Sequence, residues 1–361
     1  MTLLYLCGSQ DVPHGGVRVA YQHVDLLNRA GIPACVVHGI RNFRCTWFEN
    51  SSKVTSLPLV VKDDDVLVIP ENWSTLLTSL APGVPKVSFN QSAFYVLRNY
   101  PLDDHPYVAS KDLMATMTVS QENLELLEYA FPQNLFQRIH LSVDPTLFHL
   151  PDQPPDGQRL AYMTRKRPDE SRIVLDILRS RDALRGWDVL VLDRMPQSVV
   201  AATLRSASLF LSFLSQHEGC ALSPLEAIAS GCSVIGYTGF GAREYFGPLG
   251  AISVLDSDVV SFAHEIETWL RNFDAAEHWP AARSRAAACL SAYSQEQEEA
   301  DVVSFWRKTL SQMPKSRGVT YTIRQRDLRK GSLRGLLRRT APIIRVGMRE
   351  LAAVPRTSSQ L

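Results

Sequence analysis

Short apolar runs alternate with helix-length amphipathic segments through the first 150 residues. Five runs are each long enough for one buried strand. They cover residues 3–7, 32–39, 66–69, 86–89 and 115–119. Between the first two, apolar positions over residues 17–30 follow the i, i+3, i+4, i+7 spacing of one helix face. Strands separated by helices predict a parallel, doubly wound sheet.

The alternation stops at a segment rich in Pro, Asp and Gly and then begins again. Residues 150–157 have the composition of a linker between domains. Strands are predicted beyond it at 160–163, 187–192, 209–213, 232–237 and 251–254, with helices at 170–178, 196–206 and 223–229. The pattern therefore predicts an α/β protein with two Rossmann-like, doubly wound domains. Ligands of such sheets bind beyond the carboxyl ends of the strands, here in the cleft between the domains.

The length of 361 residues agrees with two domains of roughly 150 residues each. We place the first domain at residues 1–150 and the second at residues 151–292. A helix over 293–314 follows, and residues 315–361 form a tail of different composition.

Charge is unevenly distributed although the formal net charge is only +1. The tail carries twelve Lys/Arg and two Asp/Glu, whereas the remaining chain carries 26 basic and 35 acidic residues. Apolar tail residues recur at near-helical spacing, interrupted at Pro342. A basic amphipathic tail suits an anionic membrane surface; a disordered end or a helix packed on the protein are the alternatives. Tyr321 is the tail's single aromatic residue, so a nucleic acid is not an expected partner.

Six cysteines are scattered without a C-x-x-C pair. In a chain of this length they predict reduced thiols in the cytoplasm, not a disulfide scaffold or a zinc site. The first residues are apolar for only five positions, which favours a strand over a signal peptide. No apolar run approaches the roughly 20 residues of a membrane span. We expect a cytoplasmic protein whose tail can attach it to the inner face of the cytoplasmic membrane.

The most informative stretch runs from residue 212 to residue 246. A predicted strand ends near Phe213, and a loop then carries Glu218 and Gly219. Ser223 followed by Pro224 is the pattern of an N-cap and first helical residue. The unpaired N–H groups and positive end of that helix would lie beside Glu218, where they could hold a diphosphate.

This stretch resembles glycosyltransferase family 4 and its GT-B relatives. Their signature reads E-G-F-G-L-x-x-L-E-A-x-A-x-G-x-P-V-I, followed by G-G-x-x-E. This chain reads E-G-C-A-L-S-P-L-E-A over residues 218–227, and Glu244 ends the later part. The resemblance implies that Glu226 binds the ribose hydroxyls of a donor nucleotide. It also implies that Glu218 contacts the transferred sugar near its reacting carbon.

The loop between these two glutamates is implied to bind the donor as well. Its residues are Gly219, Cys220, Ala221 and Leu222. Cys220 and Ala221 replace the Phe and Gly that are usual in the family. The structural alternative for Glu226 is a capping box, in which the glutamate of Ser223-x-x-Glu226 only satisfies the helix N-terminus.

Two other segments resemble the family more loosely. Gly16 lies in a Gly-Gly pair before the first helix, like the family's glycine loop, which approaches the donor phosphate or the acceptor; a tight turn is the alternative. Arg165 and Lys166 fall where the family has G-R-x-x-x-x-K, whose cations neutralise the leaving diphosphate. Here Arg165, Lys166 and Arg167 are consecutive, and a solvated basic turn is the alternative.

Asn90 and Gln91 follow a predicted strand at the place where many relatives carry a histidine near the acceptor. A polar pair there can equally cap the next segment. The run 63–65, Asp-Asp-Asp, could suggest a metal site, but it precedes a strand and is more typical of a solvated turn. His217 has no evident partner and is left without a catalytic role.

The resemblance implies a GT-B glycosyltransferase that transfers a sugar with retention from a nucleotide-diphosphate donor to a glycan or lipid-linked acceptor. It further implies that the helix over 293–314 crosses back onto the first domain. No metal or other cofactor is expected, because the donor is itself a substrate. A non-catalytic relic of the same site and a nucleotide-sugar epimerase remain as alternatives. A dehydrogenase is disfavoured, since the chain lacks G-x-G-x-x-G.

Overall fold

The computed structural model describes residues 1–98, 100 and 102–328. The strands of the first domain are β1 (Leu3–Cys7), β2 (Ala34–His38), β3 (Val54–Ser56), β4 (Leu59–Lys62), β5 (Val66–Pro70), β6 (Lys86–Asn90), β7 (Leu113–Thr118) and β8 (Phe136–Arg138). Its helices are α1 (Gly15–Arg29), α2 (Leu76–Ser79), α3 (Ala93–Leu97), α4 (Pro106–Ala109) and α5 (Gln121–Ala130), with single 3-10 turns at Glu71–Trp73 and Leu102–Asp104.

The second domain repeats this architecture. Its strands are β9 (Arg159–Tyr162), β10 (Asp188–Val191), β11 (Leu209–Phe213), β12 (Ser233–Tyr237) and β13 (Ile252–Val254). Its helices are α6 (Pro168–Ser180), α7 (Gln197–Arg205), α8 (Leu222–Ala229), α9 (Arg243–Phe246), α10 (Val259–Arg271) and α11 (Ala275–Ala292). The helix α12 (Gln295–Leu310) and the strand β14 (Thr320–Ile323) follow.

Both main sheets are parallel. The first has the order β3-β2-β1-β5-β6-β7-β8 and the second the order β10-β9-β11-β12-β13. In the first sheet the strand order changes direction next to β1, and in the second sheet it changes next to β9, as in doubly wound sheets. The predicted fold class, two Rossmann-like domains, is confirmed.

Helices cover both faces of each sheet, which explains the apolar runs read from the sequence. Every residue of β1 and of β11 is buried, as expected for central parallel strands. The helix α1 buries one apolar face, which includes Val24 and Leu27, against the first sheet. Burial of each such side chain contributes roughly 1.5–3 kcal/mol.

The helix α12 returns from the second domain to pack on the first. Trp306 is buried, and its indole N–H donates to the hydroxyl of Tyr5 on β1 at 2.9 Å. At the other end of α12, buried Glu298 accepts hydrogen bonds from Gln22 at 2.6 Å and from the backbone N–H of Ser142 at 3.1 Å. An apolar end and a polar end therefore both join α12 to the first domain.

The start of the basic tail differs from its prediction as an amphipathic helix or a disordered end. β14 lies within it and pairs antiparallel with β4. The carboxylate of Asp63 accepts from the Ser316 hydroxyl at 2.7 Å and from the backbone N–H of Arg317 at 2.6 Å. The first residue of the Asp-Asp-Asp run thus fastens the tail to the first domain. The amphipathic pattern of the tail, beyond residue 328, lies outside the described residues.

Within the described part of the chain, no helix is long and apolar enough to cross a membrane.

Candidate active site

A cleft of about 1090 Å³ separates the two domains at the carboxyl ends of β1, β5, β6, β9 and β11. The first domain contributes the loop before α1 and the segments after β5 and β6. The second domain contributes the segments after β9 and β11 and the first turn of α8. The segments that follow these strands expose backbone and polar side chains. The carboxyl ends of the strands in both sheets face this cleft.

The helix α8 points its N-terminus into this cleft. It begins at Leu222, with Ala221 at the N-cap and no side-chain capping bond. The prediction that Ser223 caps the helix is therefore wrong, because the helix starts two residues earlier than predicted and Ser223 lies inside its first turn. No acidic residue occupies that turn. Its amides and positive end are left for a ligand, and an anion is the ligand they favour.

Glu226 lies on α8 with its side chain only 9% exposed. Its carboxylate does not return to the helix N-terminus, as a capping box requires, but accepts from the Arg18 guanidinium on α1 at 2.7 Å. The structural alternative for Glu226 is thus wrong, since its partner comes from the other domain. Both side chains line the cleft.

Glu218 and Lys166 form an ion pair in the wall of the cleft. Burial lowers the pKa of Lys166, and the neighbouring Glu218 carboxylate opposes that shift. Arg165, the preceding residue, is exposed on the cleft surface. Arg167 turns away and pairs with Glu170 at 2.8 Å. The structure thus separates the three consecutive cations into two at the cleft and one outside it.

His14, the residue before α1, faces this group from the first domain. Partial burial lowers the pKa of its imidazole, and the positive charges of Arg165 and Lys166 lower it further. The loop before α1 therefore lies near both cations. Sequence reasoning did not select His14, because a lone histidine in a loop carries no pattern.

Gly16 and Gln91 meet at the floor of the cleft. The Gln91 side-chain amide donates to the carbonyl oxygen of Gly16 at 3.0 Å. A β-carbon at Gly16 would come within 2.7 Å of that amide, so a larger residue there would displace the Gln91 side chain from this position. Asn90 is placed differently: its side chain is buried and donates to the Tyr107 hydroxyl at 3.2 Å, away from the cleft.

Gly219 lies directly against the backbone of the first domain. A β-carbon there would overlap the backbone carbonyl of Gln91. The carbonyl oxygen of Gly219 accepts from the side chain of Asn123 at 2.6 Å, and Ser92 donates to the carbonyl oxygen of His217 at 2.7 Å. The residues beside Glu218 are therefore held by the first domain.

Glu244, the last residue of the sequence signature, also joins the domains. It accepts from the Arg138 guanidinium at 2.7 Å and from the backbone N–H of Gln121 at 2.9 Å. It does not line the cleft. In this chain Glu244 therefore contacts the other domain and not the cleft.

Glu71 is a second residue that the sequence analysis missed. It follows β5 on a 3-10 turn, lines the cleft and is 8% exposed. Its carboxylate accepts the backbone N–H of Gln91, and burial raises the pKa of Glu71 to about 7. Its place directly after a buried strand was the available signal, since that strand end opens on the cleft.

Among the described residues, no three His, Cys, Asp or Glu side chains gather in a way that could hold a metal ion. Asp63 and Asp65 of the acidic run make hydrogen bonds within the first domain and to the start of the tail.

Residues 179–284 match the family model described as glycosyl transferases group 1. An alpha-1,6-glucosyltransferase of Actinobacillus pleuropneumoniae serotype 7 (strain AP76) is 25% identical over 261 residues, which are 66% of this chain and 73% of the relative.

Two solved structures with the same fold have low sequence identity. Sucrose-phosphate synthase from Thermosynechococcus elongatus is 12% identical with a TM-score of 0.63, over 86% of this chain and 99% of that one. HepE of Anabaena, in complex with UDP and glucose, is 11% identical with a TM-score of 0.60 over the same shares. The predicted GT-B fold is confirmed, and the matches together support a GT-B glycosyltransferase.

Proposed function

We propose that this protein transfers a hexose from a nucleoside-diphosphate sugar to a glycan or lipid-linked acceptor, with retention of anomeric configuration and without a metal ion. The observation that carries the proposal is the placement of Glu218 and Glu226 on either side of the uncapped N-terminus of α8, in one interdomain cleft. Along the chain, Glu218 would contact the sugar, the first-turn amides of α8 would bind the diphosphate, and Glu226 would bind the ribose hydroxyls.

The departing nucleoside diphosphate gains negative charge as the glycosidic bond breaks. Fixed dipoles and cations that face this charge lower the barrier without reorganisation during the reaction. The first-turn amides of α8 fill this role with Lys166 and Arg165, which line the same cleft. The leaving phosphate accepts the proton of the acceptor hydroxyl on the face it leaves, and the new bond forms on that face. Retention follows, and no covalent enzyme intermediate is required.

A panel of nucleosides, nucleoside diphosphates and their sugars tests the donor site. We expect the diphosphate of one particular nucleoside to raise the melting temperature by several degrees, because a ligand that binds only the folded state stabilises it. HepE was solved with UDP, so UDP is the first probe. Glu226→Ala should abolish the shift, because the ribose loses its carboxylate.

Glu128→Ala is the matched control, since Glu128 is an exposed acid on α5 outside the cleft. It should leave the nucleotide-dependent shift unchanged. A shift that survives in Glu226→Ala would contradict the assignment of Glu226.

A non-catalytic nucleotide-sugar-binding relic is the second candidate, favoured by Cys220 and Ala221 in place of the family's Phe and Gly. Such a protein would give the same thermal shifts but would not release nucleoside diphosphate from the sugar donor with any acceptor. An epimerase would interconvert donor sugars without an acceptor. Product analysis by NMR separates the three outcomes and gives the anomeric configuration.

We propose Glu71 as an acceptor-side residue, beside Gln91 on the first-domain wall. An ionised carboxylate there can accept a hydrogen bond from an acceptor hydroxyl. With the pKa of Glu71 at about 7, kcat/KM for the acceptor should rise between pH 6 and pH 8. Glu71→Gln should flatten that rise, and an unchanged pH profile in Glu71→Gln would contradict the role.

Stability provides an independent check on Glu71. A folded-state pKa raised above the usual value of 4.5 means that ionisation opposes folding, so this group lowers stability as pH rises through about 7. We expect Glu71→Gln to melt at a higher temperature than wild type at pH 8 and with little difference at pH 5.

We propose that the basic tail binds an anionic membrane surface, where a lipid-linked acceptor would be presented. A chain ending at residue 328 keeps β14 and its pairing with β4. We expect the 361-residue chain, but not the chain ending at residue 328, to sediment with phosphatidylglycerol vesicles. Neither should sediment with phosphatidylcholine vesicles. A truncated chain that still sediments with the anionic vesicles would place the contact elsewhere.

A further inference from the structure

The two carboxylates of the proposed donor site, Glu218 and Glu226, each have a cationic partner in the protein itself. Glu218 pairs with Lys166 of its own domain. Glu226 pairs with Arg18 of the opposite domain, at 2.7 Å between Oε1 and Nη2. The Arg18 and Glu226 side chains are 14% and 9% exposed, so the pair is well shielded from solvent.

A ribose on Glu226 competes with this ion pair. Two vicinal hydroxyls use both oxygens of one carboxylate, and one of the Glu226 oxygens already accepts from Arg18. Arginine stays charged at every relevant pH and cannot give up its proton. Leaving it buried without an anion is strongly destabilising. A ligand that takes Glu226 must therefore offer Arg18 another anion.

Arg18 is placed to find that anion in the donor's diphosphate. It lies in the first turn of α1, one turn after His14, whose imidazole feels the charges of Arg165 and Lys166. The Arg18 Nε–H is buried and has no hydrogen-bond partner among the described residues. A guanidinium with a spare donor suits two phosphate oxygens better than one carboxylate oxygen.

We propose that Arg18 exchanges partners on donor binding: it leaves the Glu226 carboxylate, its partner in this structure, and pairs with the diphosphate of the donor. This inference rests on the proposed donor site. The exchange would make the protein select nucleoside diphosphates over nucleosides, because a nucleoside breaks the ion pair and replaces nothing. Through Arg18, the first domain would also contact the phosphates of a donor that is bound to the second domain.

Uridine and UDP are the probes that separate these effects, with guanosine and GDP as a second pair if the thermal-shift panel favours that base. We expect Arg18→Met to bind uridine several-fold more tightly than wild type and UDP at least tenfold more weakly. The ratio of the two dissociation constants should therefore fall by more than tenfold. Isothermal titration measures UDP binding, and ligand-observed NMR measures uridine binding.

Arg29→Met is the matched control, because Arg29 lies on the last turn of α1 and makes an exposed pair with Glu299 at 3.6 Å. It should leave both dissociation constants unchanged. Equal weakening of uridine and UDP in Arg18→Met would overturn the proposal, since that result marks a structural role. If Arg18→Met does not fold, Arg18→Lys should weaken UDP with little effect on uridine, and equal losses there would overturn it too.

The donor site itself is tested separately in the Arg18→Met background, where no ion pair with Glu226 has to be broken. If adding Glu226→Gln there leaves uridine binding unchanged, the proposed donor site fails. If it weakens uridine while Arg18→Met alone binds both probes as wild type does, the donor site stands and only the exchange of partners fails.

Discussion

Glu218→Gln should lower kcat by at least about 100-fold, the effect typical of removing one preorganised electrostatic group from an active site. The substitution keeps the size of the side chain but removes the charge that pairs with Lys166. Developing positive charge on the transferred sugar would lose its nearest carboxylate. Affinity for the nucleoside diphosphate should change little, because Glu226 and the α8 amides remain. Steady-state kinetics with a nucleotide-sugar donor, together with UDP titration, measures both quantities.

Glu170→Gln is the control for this variant. Glu170 lies on α6 outside the cleft and pairs with Arg167, the cation that turns away from the site. We expect its turnover to equal that of wild type. Wild-type turnover in Glu218→Gln would remove Glu218 from the catalytic machinery.

Gly219→Ala should lower kcat/KM by about 100-fold or more, since a displacement of about 1 Å can cost that much in a positioned site. The added methyl group would overlap the backbone carbonyl of Gln91. Backbone cannot move aside as a side chain can, so the two domains must separate or the loop carrying Glu218 must shift. Small-angle scattering should show a larger radius of gyration if the domains separate.

Gly247→Ala gives the matched comparison. A β-carbon at Gly247 meets nothing within 4 Å, and this glycine lies outside the cleft at the end of α9. It should retain wild-type activity and scattering. If Gly219→Ala also retained both, the observed contact between the domains would not belong to the active conformation.

The central strands could be predicted from sequence because burial on both faces makes them continuous apolar runs. β11 begins and ends where the run at 209–213 does. β3, β4, β8 and β14 were missed. They are three or four residues long and partly exposed, and β4 and β14 pair only with each other. Their formation depends on a partner strand distant in sequence, which no local pattern reveals.

The local sequence pattern predicted Glu218, Gly219 and Glu226 as site residues, and the structure places all three at the cleft. Contacts between the domains could not be read in that way. Arg18 and Glu226 are 208 positions apart, and nothing near either residue indicates the other.

The polar pair at the end of β6 shows the same limit on a smaller scale. Asn90 is the last strand residue and points into the domain, whereas Gln91, one position later, reaches the glycine loop. Successive side chains at a strand end point in opposite directions, so the sequence alone could not separate the two.

The donor site is best examined in a crystal structure of the protein with UDP, or with whichever nucleoside diphosphate the thermal-shift panel selects. We expect ribose hydroxyls on the Glu226 carboxylate and the diphosphate beside the first turn of α8, within reach of Lys166. A nucleotide bound outside this cleft, or one inside it that leaves Glu226 without contact, would disprove the proposed donor site.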